Sequence, residues 1–162
     1  MQTHGRKMKR FRVYADTSVY GGCFDEEFAR ESQAFFDAVR AGRFTLVVSP
    51  TVLVELQRAP EQVRQILAGL PPHTIEMINF SDDIRHLREA YVSAKVLGAE
   101  HQADAEHIAS ASVAEVDFVV SWNFKHIVQF EKIAGYQAVN LLNGYREIRI
   151  YSPKEVVGNN EE

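Results

Sequence analysis

Phe11-Arg-Val-Tyr-Ala-Asp-Thr-Ser18 decides how the whole chain is read. Its first five residues have the composition of a β-strand, and the strand runs directly into an acid, Asp16. Phe44 to Ser49 is a second short apolar run, as in a strand buried on both faces. Phe118 to Ser121 is a third, with Asn123 two residues beyond it. Between these runs the apolar residues recur at helical spacing. Phe28, Phe35 and Val39 fall on one face of a helix over 28–40 that Gly42 ends. Ser49-Pro50 starts a helix that carries Glu55, with Ser as N-cap and Pro in the first turn. Pro60 opens another, which ends at Gly69. Ser81 caps a helix that reaches about Leu97 and ends at Gly98, its stripe formed by Ile84, Leu87, Tyr91 and Ala94. Asp104 lies in the first turn of the next, rich in small residues.

Strands alternating with helices predict an α/β fold around a mainly parallel sheet. The weaker segments are read as a turn at Gly21-Gly22, a break at Pro71-Pro72 and a strand over 74–78. A short helix over 126–134 and strands over 137–140 and 147–151 complete the pattern. No Pro/Gly/Ser-rich linker divides the chain, so residues 11–157 are expected to form one domain. Residues 1–10 read as a flexible basic leader, and 158–162 as a frayed polar tail. Met8 stands just before the first strand, which makes residues 1–7 a candidate upstream extension.

Composition bounds the function. With 162 residues, 46 % apolar and 25 % charged, the chain has the balance of an ordinary single domain. No apolar run approaches the roughly 20 residues needed to cross a bilayer, and none follows the basic N-terminus as in a signal peptide. No membrane role is expected, and the location expected is cytoplasmic. The single cysteine, Cys23, excludes an internal disulfide and reads as a structural thiol. The net charge of −4 argues against a broadly basic nucleic-acid surface. Any such role must rest on a local basic patch, or on metal ions that offset the acids.

In open parallel sheets, ligands bind outside the carboxyl ends of the strands. Asp16 ends the first strand there, Ser121 and Asn123 end a later one, and Glu55 and Asp104 ride on helices that start near that rim. Three carboxylates brought together repel one another and need protons or cations to coexist. Oxygen donors suit Mg²⁺ or Mn²⁺ rather than zinc. Such an ion binds a phosphodiester and activates a water, so the chemistry expected is phosphodiester hydrolysis. In the bland alternative each acid acts only locally. Asp16 then caps a turn, Glu55 is solvated, and Asp104 complements a helix dipole.

Four segments weigh against the bland alternative: Tyr14-Ala-Asp-Thr-Ser18, Val52-Leu-Val-Glu-Leu56, Ala103-Asp-Ala-Glu-His-Ile-Ala109 and Val119-Val-Ser-Trp-Asn-Phe124. In order and spacing they resemble the PIN-domain family, over about residues 12–153. The resemblance implies a three-layer α/β/α sandwich and cleavage of single-stranded RNA with Mg²⁺ or Mn²⁺. It carries the family's characteristic acids onto Asp16, Glu55 and Asp104, as metal ligands and catalytic residues. The fourth polar position, often Asp in the family, maps onto Asn123, which adds no charge. Small members are commonly toxins of the VapC type, neutralised by a separate antitoxin, and a homodimer is expected by the same analogy.

Around these positions, Thr17, Ser18 and Ser121 can hydrogen-bond a carboxylate or a phosphate, or serve as turn caps. Lys125 and His126 can contact phosphate, or form a solvated basic pair. Asp117 precedes its strand and is expected at the opposite edge, unable to replace Asn123. Trp122 reads as core rather than a base-stacking platform. His101, His107 and His126 lack the spacing of a zinc motif, Asp104 and Glu106 do not complete one, and His107 reads as a packed or surface histidine. Two other functions compete with the nuclease. One is a non-catalytic PIN-fold module that binds RNA or protein, favoured by Asn123 and the acidic balance. The other is an aspartyl phosphatase, disfavoured because Ser18 stands where its second Asp would be.

Overall fold

The computed structural model describes residues 10–158. The leader over 1–10 thus lies outside the described residues except for Arg10, and the tail over 158–162 except for Gly158. The described residues form five strands: β1 (Phe11–Ala15), β2 (Phe44–Val48), β3 (Ile75–Met77), β4 (Phe118–Val120) and β5 (Ile150–Tyr151). They make one sheet in the order β3-β2-β1-β4-β5, and every pairing is parallel. The helices are α1 (Thr17–Gly22), α2 (Ala29–Arg40), α3 (Pro50–Gln57), α4 (Glu61–Ala68), α5 (Asp82–Ser93), α6 (Gln102–Val113), α7 (Phe130–Leu142) and α8 (Pro153–Val157). The result is an α/β fold with helices flanking a central parallel sheet, the three-layer architecture expected.

The order of strands positions the site. From β1 the chain builds outward through β2 and β3 on one side, then returns to place β4 and β5 on the other. The reversal falls between β1 and β4, so their carboxyl ends frame the crevice where parallel sheets bind ligands. The inner strands are buried along most of their length, with Val13, Tyr14, Leu46, Val47 and Val119 inaccessible. Phe35, Val39, Ile84, Leu87 and Ile108 cover them from the helices.

Caps predicted from sequence are present. Ser49 Oγ accepts the Val52 N–H at 3.2 Å and Ser81 Oγ the Ile84 N–H at 3.2 Å. Four features differ. Gly21-Gly22 closes α1 instead of forming a free turn. Gly22 is required by crowding, because a Cβ there would lie 2.5 Å from Ser32 Oγ and 2.9 Å from Trp122 Nε1. Helix α5 stops at Ser93, before Leu97, because Lys95 takes a left-handed backbone (φ 61°) in place of a glycine, and Ala94 becomes its exposed C-cap. Residues 137–140 are not a strand but the middle of α7, whose N-cap is Gln129. The helix expected over 126–134 therefore begins later and runs on to Leu142. Its Gly135 lets it close onto Val96, where a Cβ would meet Cγ1 at 2.9 Å. Lastly, the strand over 147–151 is reduced to Ile150–Tyr151, and a capping box at Ser152 starts α8.

Candidate active site

Asp16 follows β1 immediately and is 4 % exposed. Its N–H donates to Val120 O at 3.3 Å, which ties it to the end of β4 across the topological switch. Ser18 Oγ donates to Asp16 Oδ1 at 2.6 Å, and Ser121 Oγ donates to Oδ2 at 2.9 Å. Both hydroxyls in turn accept backbone N–H groups, Trp122 onto Ser18 and Asn123 onto Ser121, each at 2.9 Å. The two serines thus fix the carboxylate and lock the loop after β4 to it. Burial raises the Asp16 pKa and the charge of Asp104 adds to this, while His107 and the serine bonds oppose; the net shift is upward.

Glu55, on α3, accepts from Thr17 Oγ1 and, at 2.9 Å, from His107 Nε2. His107 lies three residues after Asp104 on α6 and is 2 % exposed. Its Nδ1 is 2.6 Å from the buried Tyr14 hydroxyl, which is also 2.6 Å from Ser49 Oγ. Burial alone would lower the His107 pKa. The Glu55 bond and the charges of Asp16, Glu55 and Asp104 outweigh it and raise the pKa. Burial raises the Glu55 pKa, but the bond to His107, its charge and the Thr17 hydroxyl bring the net shift down. The imidazole therefore sits where the fields of all three carboxylates meet. Asp16, Glu55 and Asp104 each act electrostatically on this imidazole, but together they are not a set of donors within 4.8 Å of one another. Among the described residues, the one set of three His, Cys, Asp or Glu donors within 4.8 Å of one another is His101, Asp104 and His126.

The remaining residues take clear places. Asn123 Oδ1 accepts the N–H groups of Lys125 (3.2 Å) and His126 (2.9 Å), so its oxygen shapes the turn. Lys125 is exposed on that turn and His126 half-buried, its imidazole held below its ordinary pKa by burial and by His101. Glu106 is taken up by Arg88 (2.6 Å) and Thr51, away from the acids. Asp117 accepts the Arg12 N–H at 2.8 Å at the opposite strand end, as expected. Trp122 stacks on Phe28 (centroids 4.2 Å apart) and donates to Ser32 at 2.8 Å, so it is core. Burial lifts the Cys23 thiol to a pKa of about 11, which leaves it protonated and inert. Two open hollows share Phe11, Phe118 and Tyr151 in their walls, but they lie toward the starts of β1 and β4, away from the carboxylates. Sequence reading missed two things: the role of His107, which bridges Tyr14 and Glu55, and the meeting of His101 with His126. Only the three-residue spacings of His101 and His107 from Asp104, one helical face, hinted at either.

Comparison with known proteins agrees on architecture. A chain of the crystal structure of VapBC2 from Rickettsia felis, bound to a DNA fragment from their promoter, superposes with a TM-score of 0.56 at 13 % identity. The match covers 87 % of this chain and 98 % of that one. The fold is shared. Tyrosyl-tRNA synthetase from Aeropyrum pernix gives a TM-score of 0.49 at 11 % identity, over 88 % of this chain and 53 % of that one, too loose to argue from. No protein-family model and no curated protein matches the sequence. No helix among the described residues is long and apolar enough to cross a membrane.

Proposed function

We propose that this protein is a divalent-metal-dependent endoribonuclease acting on single-stranded RNA, and the toxin of a toxin–antitoxin pair. One observation supports this above the rest: the buried His107 imidazole bonds Glu55 and feels the charges of Asp16 and Asp104, beside the switch point of a parallel sheet. The four PIN-like segments and the fold shared with the VapBC2 chain point the same way. The donors fit Mg²⁺ or Mn²⁺. They are carboxylate oxygens, and burial disfavours the charged form of Asp16, which a cation would offset. When bound, the ion supplies the positive charge that draws in a phosphodiester and eases attack by water.

The chain's own residues do the rest. Ser18 and Ser121 hold both Asp16 oxygens in one orientation and leave further acceptor sites on each. Thr17 and His107 both hold Glu55 Oε1 and leave its Oε2 open, and the carboxylates favour the protonated form of the His107 ring. Lys125, exposed on the turn that Asn123 shapes, is our choice for contact with the RNA phosphate. A separate antitoxin chain would bind the toxin, as VapB and VapC are paired in the neighbour's name, and the toxin itself would be a homodimer acting in the cytoplasm.

The test is cleavage of single-stranded RNA by purified protein, with Mg²⁺ or Mn²⁺ and with chelator. Cutting should need the ion and vanish in folded Asp16→Asn and Asp104→Asn variants; cutting that persists in them removes the site. A second reading, a PIN-fold module that binds RNA or protein without cutting, is favoured by Asn123. Its oxygen is engaged in the turn and adds no charge. Metal-independent RNA binding with no cleavage in either ion would establish that reading instead.

A further inference from the structure

His101 and Asp104 stand three residues apart, one at the end of a 3-10 turn (Ala99–His101) and the other in the first turn of α6. That spacing places both on one helical face. The loop after β4, bent by Asn123, brings His126 to the same point. One donor atom from each of the three lies within 4.8 Å of the others. The two imidazole rings lie 3.8 Å apart between centroids, tilted by 31°. The Nδ1 atom of His126 is buried and finds no hydrogen-bond partner among the described residues. A buried ring nitrogen without a partner is unusual, because native proteins satisfy nearly all such atoms.

We propose that His101, Asp104 and His126 form a second metal site, which takes a nitrogen-preferring divalent ion of the zinc or cobalt class. Two imidazoles and one carboxylate are the protein donors of several catalytic zinc and iron centres, which keep positions open for water or substrate. Bonds of about 2.0–2.2 Å require the donors to close to roughly 3–3.5 Å of one another. All three side chains are only half-buried, so rotation about their side-chain bonds can supply that closure. Glu100 Oε2 lies 3.6 Å from His101 Nε2, near enough to add negative charge beside the ring. Magnesium, which favours an octahedron of oxygens, has little use for this donor set. Asp104 is the carboxylate that this site shares with Asp16 and Glu55, so the rim has an oxygen half and a nitrogen half. Binding here does not depend on whether the chain cuts RNA.

Calorimetric titration of the full chain with Zn²⁺, and the visible absorption of its Co²⁺ complex, test the site. Wild type should bind Zn²⁺ at micromolar or tighter Kd. Affinity should fall at least tenfold in His101→Ala and in His126→Ala. It should hold in His86→Ala, and millimolar Mg²⁺ should not displace the ion. Circular dichroism checks that each variant is folded, and His126→Asn stands in if the alanine variant is not. No Zn²⁺ binding by wild type, or wild-type affinity retained in either histidine variant, overturns the proposal. RNA cleavage that fails while Zn²⁺ binding stays His101- and His126-dependent would sink the nuclease reading alone.

Discussion

Replacing His107 by Phe keeps a ring of similar size in a fully enclosed place but removes both nitrogens. Two hydrogen bonds go: Nε2 to Glu55 at 2.9 Å and Nδ1 to the Tyr14 hydroxyl at 2.6 Å. A bond to a charged group contributes about 1.5–3 kcal/mol and a neutral one about 0.5–1.5. Water reaches Glu55, whose side chain is 32 % exposed, and Tyr14 keeps Ser49, so the lower part of the combined range applies. The expected loss is about 2–3 kcal/mol, or roughly 4–12 °C in Tm for a domain of this size. The sign of the pH dependence follows from the shifts. His107 has a raised pKa when folded, so its contribution is complete below its ordinary value of 6.5 and fades as pH rises past the folded value. Glu55 has a lowered pKa, so its contribution is present above its ordinary 4.5 and fades on acidification past the folded value. The gap between wild type and His107→Phe should therefore be widest between about pH 4.5 and 6.5 and narrow toward pH 9. Thermal melts by circular dichroism across that range measure it, and a cycle with Glu55→Gln should show coupling of about 0.5–3 kcal/mol. A gap below about 0.5 kcal/mol, or one that does not change with pH, refutes the assigned network.

Other consequences are equally direct. Asp16→Asn removes a buried charge while keeping its shape, so the metal-free protein should melt higher at pH 7.5 than wild type. A lower Tm would mean that the charge is already well compensated. Gly22→Ala pushes a methyl against Ser32 and Trp122 and should cost about 1–3 kcal/mol in a denaturant titration; a neutral result would mean this contact is loose. Trp122→Ala loses its stack on Phe28 and its bond to Ser32, and should cost about 3–5 kcal/mol in the same assay. If instead stability holds and RNA binding falls, the indole is a base platform after all.

Much of this was legible in the sequence because it was local. A strand running into Asp16, Ser49-Pro50 and Ser81 at helix starts, and the acid in the first turn of α6 each announce themselves within a few residues. Where the reading failed, tertiary packing decided. The run over 137–140 looks like a strand by composition. It is helical because Tyr136, Val139 and Asn140 bury one face of α7, with Tyr136 against Tyr91 and Asn140 bonded to the Tyr91 hydroxyl. Gly98 looked like the end of α5, yet Lys95 adopts the left-handed turn itself. The partnership of His107 with Glu55 spans 52 positions, and that of His101 with His126 joins two loops. Residue spacing along a chain holds no trace of contacts that only the folded sheet creates.

The central claim is that Asp16, Glu55 and Asp104 act as one cation-dependent site. The rise in melting temperature on adding MgCl₂ at pH 7.5, measured for wild type, Asp16→Asn, Glu55→Gln and Asp104→Asn, tests this most directly. An ion bound only by the folded chain stabilises it by about 2.7 kcal/mol at a hundred times its Kd. Wild type should therefore gain several degrees, and each variant should lose most of that gain. A full gain in any one of the three, or none in wild type, would contradict the account.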